Sequence, residues 1–582
     1  MKRGHAARSC VSLPEVSMIK NTKDAELKHA WWYGKIAYQI YLKSFSDSNG
    51  DGIGDLCGIL SRLDYLKSLG VDILWLSPCY PSPMADQGYD ISDYYNIDPR
   101  YGTLADMDEL ISEAAKRKMF ILLDLVANHC SDEHEWFKRA CEDPNGSYGK
   151  YFYIEDRDPS GLLPCNWRSV FGGSVWEPLP NHPDKLYLHT FHKKQPDLNW
   201  ENPEVRENIY KNAAWWLKRG IAGFRIDAIT YIKKVIPFRN EQADREDGLC
   251  YIGRSEESVK GLGIFLRELK SRVFEPAKAL TIGEVFNEQE DELKLLIGEN
   301  GYFSSMFDFS HIAWGQGRLG WYSCEDITTE AYKRCVIDAQ CRIGSNGYFS
   351  NVLENHDRPR AANRYLPLEG RTEAGKKCLA LAYFMLRGIP FIYQGQEIGM
   401  ENFPFRSHGE FNDITAIDEY QVSLEAGLGE EKALAVSCAF SRDNARTPMQ
   451  WDGTENAGFT SGTPWFPVNP GYTRINVAEQ ENRADSLLNF YRKMAALRKS
   501  PGYFETFSFG DFVPALEGRK SLIAYHRKGE KELMVLANLK SERETVPIPS
   551  GSRILLNTTD GCCWEKGLLI LEGWQGIVLE LL

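Results

Sequence analysis

Eight short apolar runs recur between Ala37 and Gly395, with helical patterns between most of them. They are AYQIYLKSF (37–45), VDILWLSP (71–78), MFILLDLV (119–126), GFRIDAI (223–229), ALTIGEV (279–285), SMFDFS (305–310), GYFSNVLE (347–354) and IPFIYQG (389–395). Apolar runs of this length fit strands buried on both faces, as parallel strands are. Helical spacing fills gaps such as 58–70, where Ile59, Leu63 and Leu66 share a face and Gly70 gives a stop. Eight parallel strands linked by helices close a barrel. The expected fold class is therefore α/β, a (β/α)8 TIM barrel.

Two departures from the alternation set the expected domain plan. Between Asn128 and Trp200 the chain turns rich in Trp, Gly, Pro and Asp, which predicts a small inserted domain, 128–200, after the third strand. From about residue 503, short strands such as ELMVLANL and GIVLELL alternate with turn signals, predicting a C-terminal antiparallel β-domain, 503–582. The barrel then comprises 31–127 and 201–502, with 400–470 read as an irregular excursion after the eighth strand. The polar, aperiodic residues 1–30 read as a disordered extension with no apolar signal-peptide segment.

The net charge of −13 argues against a nucleic-acid partner, and no apolar run is long enough for a membrane span. The 14 Cys lack zinc spacing, so they read as reduced thiols of a cytoplasmic protein, a monomer or weak homo-oligomer. The adjacent Cys562 and Cys563 have no interpretation.

In such a barrel the chemistry sits where strands end. The third strand leads to Asp124, Asn128 and His129, the fourth carries Arg225 and Asp227, the fifth ends at Glu284, and the seventh at His356 and Asp357. Paired carboxylates at one mouth are the equipment for glycosidic cleavage. Neighbouring strand ends lie about 5 Å apart, matching the ~5–5.5 Å of a retaining pair, so Asp227 and Glu284 fit nucleophile and general acid. Arg225 would hold Asp227 ionised, while the surrounding acids would keep Glu284 protonated.

The stretches DLVANHCS, GFRIDAI, IGEV, ENHD, QPDLNW, GIPFIYQGQEIGM and RDNARTPMQWD together resemble the α-amylase superfamily of glycoside hydrolases, in its oligo-1,6-glucosidase and α-glucosidase branch. The resemblance spans about residues 31–582. It implies Asp227 as nucleophile, Glu284 as acid/base and Asp357 as the group that grips ring hydroxyls. It implies that Asp86, paired with Arg442, and Tyr89 close the pocket at the non-reducing end, with His129, Arg225 and His356 completing the first sugar site. The activity implied is exo-acting, retaining hydrolysis of short oligosaccharides.

DSNGDGIGD (47–55) has the oxygen-ligand spacing of a calcium loop but has Gly58 where an EF-hand has Glu. By itself it is either a metal staple or an Asp-rich turn. In the branch resembled here, Asp47, Asn49, Asp51, Asp55 and the Ile53 carbonyl hold calcium, or less often magnesium, and the site near Asn128 found in α-amylases is expected to be missing. The branch tends to carry Val after the nucleophile in strict α-1,6 enzymes and smaller residues where α-1,4 bonds are accepted. Ala228 therefore points to α-1,4 cleavage, with or without α-1,6. Alternatives on the same frame are a sucrose isomerase or trehalose-synthase-like transglycosylase and, more distantly, a non-catalytic ancillary protein.

Overall fold

Each apolar run forms a strand, trimmed at its ends. The computed structural model describes residues 30–582 except 252–255, 287, 289–291, 299, 316, 318, 345–346, 560, 562 and 566. The expectations for residues 1–29 and Cys562 lie outside the described residues. Strands β1 (Ala37–Ile40), β2 (Ile73–Leu76), β3 (Phe120–Val126), β4 (Gly223–Asp227), β5 (Leu280–Gly283), β6 (Ser305–Met306), β7 (Ser350–Asn351) and β8 (Ile389–Tyr393) form one parallel sheet. Its order is β6-β5-β4-β3-β2-β1-β8-β7, and a parallel bridge from Phe307 to Ser350 joins the two ends. The result is a (β/α)8 barrel. Strands β6 and β7 are shorter than their apolar runs because Asp308 turns the chain, accepting the Ser310 N–H at 3.0 Å while its own N–H reaches the Ser350 carbonyl.

Local signals set the helix ends. Thr103 and Asp106 form a capping box at the start of Leu104–Lys116. Pro203 sits in the first turn of Pro203–Arg219, and Gly220, at φ 118°, ends it in the left-handed conformation that only glycine takes without strain.

The segment after β3 builds a core of its own. Helix Glu135–Glu142 precedes a three-stranded antiparallel sheet of Ile154–Asp156, His182–Leu188 and Trp176–Leu179. Trp167, Trp176, Leu186 and Leu188 are buried together, with Phe238 packed against them from the loop after β4. A further tie is the parallel pairing of Trp167–Arg168 with Cys250–Tyr251.

The 400–470 region differs from the irregular excursion expected. It contains helices Ile414–Glu425 and Glu430–Phe440. Their buried positions include Ala416, Ser423, Ala433 and Ser437. Small buried residues let two helices approach closely but leave a weak amphipathic signal, which is why the sequence concealed them.

The C-terminal region is a five-stranded and a three-stranded antiparallel sheet enclosing Leu536, Val546, Leu569 and Leu579. It docks on the barrel helix Glu373–Phe384, where the Tyr525 hydroxyl donates to the Ala382 carbonyl at 2.9 Å. Among the described residues no helix is long and apolar enough to cross a membrane.

Candidate active site

Period-2 alternation aims Arg225 and Asp227 the same way at the end of β4. Ala228 then takes φ 43°, an uncommon conformation for a residue with a Cβ, and breaks the strand into the turn Ile229–Tyr231. The break frees the Ala228 N–H to donate to Glu284 Oε2 at 2.9 Å. Glu284 follows Gly283, which pairs with Ile226, so Glu284 stands beside Asp227 on the neighbouring strand. Its N–H binds the Ile226 carbonyl.

One guanidinium serves three acids. Arg225 Nη1 reaches Asp227 Oδ1 at 2.5 Å and Asp124 Oδ1 at 2.7 Å, and Nη2 reaches Glu284 Oε1 at 2.5 Å. The cluster is almost wholly buried. Burial pushes the Asp227 carboxyl well above its usual range, Arg225 opposes that rise, and Glu284 and Asp124 add to it. Burial likewise lifts Asp124 to about 6 against the pull of Arg225. Arg225 is thus shared rather than dedicated to Asp227, and it does not hold that carboxyl low. For Asp227 and Asp124, burial and the neighbouring carboxylates oppose ionisation while Arg225 favours it.

At the end of β7, His356 and Asp357 face the same mouth. The Gln39 amide nitrogen lies 2.8 Å from His356 Nδ1, so Nδ1 accepts and the proton stays on Nε2. Nε2 lies 2.7 Å from the Tyr89 hydroxyl and 3.0 Å from Asp357 Oδ2. Burial holds His356 neutral, lowering it to about 3. Burial would raise Asp357, but His356, Arg446, Arg442 and Arg225 outweigh it and hold the carboxyl far below its usual range. Arg446 Nη2 is 2.9 Å from Asp357 Oδ1, and Arg442 Nη1 is 3.6 Å away.

The far wall joins two loops. Arg442 Nη1 lies 3.5 Å from Asp86 Oδ1, its Nε bonds Asp413 at 2.7 Å, and its guanidinium stacks over Phe171. Burial raises Asp86 to about 6, against the pull of Arg442 and Arg446. The Gln195 amide bridges Asp86 Oδ2 and His129 Nε2, each at 3.1 Å. Burial lowers His129 to about 4, so it is neutral.

Asp227, Glu284, Ala228, Arg225, Tyr89, His356, Asp357, Arg442, Asp86 and His129 therefore lie on one connected chain of polar contacts. Asp124 joins the Arg225 cluster to the rest, its Oδ2 accepting from Tyr89 at 3.3 Å and from Trp75 Nε1 at 3.0 Å, and Gln195 adds a second path beside the direct contact of His129 Nε2 with the Tyr89 carbonyl at 3.1 Å. Sequence reasoning assigned neither, and missed Arg446 and Gln39. Arg446 had a signal, lying four residues after Arg442 on Asp443–Arg446 and its cap.

Near Asn128 a cation is supplied by the chain itself. Lys234 Nζ lies 2.6 Å from Asp197 Oδ2 and 3.0 Å from Asn128 Oδ1, with both charged side chains buried.

The DSNGDGIGD loop curls around its own carboxylates. Asp47 accepts from the N–H groups of Asn49, Gly50 and Gly52, Asn49 Oδ1 from that of Asp51, and Asp51 Oδ1 from that of Ile53. Asp55 accepts from Ser48 and caps the helix Leu56–Ser61 through Gly58. Among the described residues no three His, Cys, Asp or Glu converge as a ready metal-ligand group. The donor chemistry nonetheless fits a hard cation. Every donor is oxygen, and Asn49 Oδ1 and Asp51 Oδ1, which each take one N–H, keep a further lone pair, whereas both Asp47 oxygens already accept from two donors.

Comparisons with known proteins converge. The family profile described as alpha amylase, catalytic domain matches residues 39–505. An oligo-1,6-glucosidase of Bacillus cereus is 39% identical over 528 residues, covering 90% of this chain and 93% of its own. A glucan 1,6-alpha-glucosidase of Streptococcus pneumoniae serotype 4 is 37% identical over 567 residues, 96% of this chain and 100% of its own. Among solved structures, a variant of the trehalose-6-phosphate hydrolase of Bacillus licheniformis superposes with a TM-score of 0.86 at 35% identity, covering 95% of this chain and all of that one.

Proposed function

The chain belongs to the α-amylase family of glycoside hydrolases, and from that premise we propose that it is an exo-acting, retaining α-glucosidase that removes glucose from the non-reducing end of short α-1,4- or α-1,6-linked oligosaccharides. The observation that carries the proposal is the Arg225 guanidinium held 2.5 Å from both Asp227 and Glu284 on adjacent parallel strands. Strands at about 4.8 Å suit a pair of carboxyls about 5–5.5 Å apart, the retaining arrangement.

In this reading an Asp227 oxygen attacks the anomeric carbon as its bond to the leaving oxygen breaks. Glu284 gives that oxygen a proton. Water, deprotonated by Glu284, then displaces Asp227 with a second inversion. Arg225, bonded to both Asp227 and Glu284, sits beside the charge as it moves between them. Asp357, held ionised by Arg446 and His356, grips sugar hydroxyls. Asp86 and Arg442 form the end wall that restricts the pocket to one terminal ring.

We read the 47–55 loop as a holder for calcium, with magnesium as the weaker candidate. Asp47, Asn49, Asp51, Asp55 and the Ile53 carbonyl are its oxygen donors, and bound calcium would staple the loop after β1 without taking part in the chemistry. The same reading places the enzyme in the cytoplasm, where unlinked buried thiols such as Cys79 and Cys378 persist.

The test is hydrolysis of p-nitrophenyl α-glucoside together with maltose, isomaltose and sucrose, with products followed by chromatography. Release of α-glucose, abolished in Asp227→Asn, is expected. Conversion of sucrose to an isomeric disaccharide without net hydrolysis would replace the hydrolase by the isomerase reading.

A further inference from the structure

Arg442 is the cation of the end wall, yet its shortest bonds go to neither wall carboxylate. Nη1 stands 3.5 Å from Asp86 Oδ1 and 3.6 Å from Asp357 Oδ1, both longer than an ordinary charged hydrogen bond. Nε lies 2.7 Å from Asp413 Oδ1, and the Arg442 main-chain N–H donates to Asp413 Oδ2 at 2.8 Å. Asp413 thus grips one residue at its backbone and at its side chain. It is fully buried. Burial would raise its carboxyl, but Arg442 and Arg446 outweigh that and hold it below its usual range.

The grip is firm because Asp413 is itself held. Its Oδ1 also accepts the Thr415 N–H at 3.1 Å and so caps helix Ile414–Glu425. The N–H groups of Asp413 and Asn412 donate to Asp443 Oδ2 at 2.8 and 2.7 Å. Asp443 follows Arg442 in the chain, so each segment accepts from the other's backbone. Farther along the helix, Glu419 Oε2 accepts the Trp321 N–H at 2.6 Å, a tie to the loop after β6. The Ser437 hydroxyl donates to the Ala416 carbonyl at 3.3 Å and seats the helix on Glu430–Phe440. An amide at position 413 could still cap the helix, but it offers one acceptor oxygen and no charge, too little for both Arg442 bonds. Asp413 therefore takes the close charge pairing of Arg442 and leaves Asp86 and Asp357 its longer-range field. Both wall carboxylates keep lone pairs for the hydroxyls of a terminal ring.

We propose that Asp413 is a positioning residue of the reaction: without touching the sugar, it fixes Arg442 at the distance from Asp86 and Asp357 that leaves both carboxylates free to bind the terminal ring. The inference rests on the glucosidase reading above and adds to it a residue that acts through Arg442. Asp413→Asn keeps the helix cap and loses the charge, so Arg442 closes on the wall carboxylates and competes with the sugar for them. The expected result is a fall of about tenfold in kcat/KM for p-nitrophenyl α-glucoside, the scale of one charged hydrogen bond. In an Arg442→Met background the same substitution changes kcat/KM by less than about twofold, because the group it acts through is gone. A purely structural role lowers both backgrounds alike. Arg442→Lys keeps the charge and the main-chain bond but has no second nitrogen to hold Asp413 while facing the pocket. It loses about as much as Asp413→Asn, and it carries the test if Asp413→Asn does not fold. Equal losses in both backgrounds, or wild-type kcat/KM in either Asp413→Asn or Arg442→Lys, overturns the proposal. A wild-type enzyme inert toward p-nitrophenyl α-glucoside and every disaccharide sinks the underlying glucosidase reading instead.

Discussion

Replacing Arg446 by Met removes two bonds at once: Nη2 to Asp357 Oδ1 at 2.9 Å and Nε to the His356 carbonyl at 3.1 Å. At 2.9 Å and an effective dielectric of about 20, the attraction to Asp357 is about 6 kcal/mol. The Asp357 side chain is 30% exposed, so water screens part of it. Halving the value leaves about 3 kcal/mol, which corresponds to about two pH units. Burial pushes Asp357 up, and His356, Arg446 and Arg442 are what hold it down. Without Arg446 the carboxyl rises toward its ordinary range but stays below it, because the His356 Nε2–H at 3.0 Å and Arg442 at 3.6 Å still favour the ionised form. Asp357 must be ionised to grip hydroxyls, so the acid limb of kcat/KM moves up by about two pH units. Activity at about pH 3 falls much further than at pH 7, where the carboxyl stays ionised in both proteins. The stability effect has the same sign. A depressed folded-state carboxyl contributes stability above its unfolded value and loses it as pH falls, and the variant loses that contribution at neutral pH. The assay is a pH profile of p-nitrophenyl α-glucoside hydrolysis, with Arg446→Lys as the variant that keeps the charge and restores part of the shift. An acid limb that stays in place, with equal loss at every pH, refutes the electrostatic reasoning.

Lys234→Met strands Asp197 as a buried unpaired charge and should cost about 3–5 kcal/mol, read as a lowered urea midpoint. Adding Asp197→Asn should recover much of it, and a double variant no better than the single one contradicts this. Glu397 takes the Tyr38 and Tyr65 hydroxyls on Oε1, while Oε2 is buried with no partner among the described residues, and burial raises the carboxyl. A raised folded-state value penalises the ionised form above the unfolded value near 4.3, so Glu397→Gln should match or exceed wild-type thermal stability at pH 7 and match it at pH 4. A variant clearly less stable at pH 7 shows that the ionised form is wanted. Calcium at a hundredfold excess over its dissociation constant stabilises by about 2.7 kcal/mol, so a chelator should lower the melting temperature and calcium, but not sodium, should restore it. An unchanged melting point rejects the calcium loop.

The barrel was legible because burial on both faces leaves little choice of residue. Tyr38, Leu74, Leu123, Phe224 and Ile392 are apolar for the same reason that their strands are central. Asp227, Glu284 and Asp357 were legible for the opposite reason, being charged residues where an apolar strand stops, a position that burial alone does not explain. Relations between segments were not legible. Nothing in DLVANHCS says that Asp124 will share Arg225 with two other acids, because that depends on three strands meeting in register. The same limit hid the helices 414–440, whose small buried side chains carry almost no periodic signal. It also misjudged the direction at Asp227. Sequence reasoning weighed one neighbouring cation against one acid, whereas the fold buries both among further carboxylates, and desolvation becomes the largest influence. Sequence thus names which groups reach the mouth of the barrel. Their protonation is a property of the packed cluster, and it follows only once the number of carboxylates per buried cation is known.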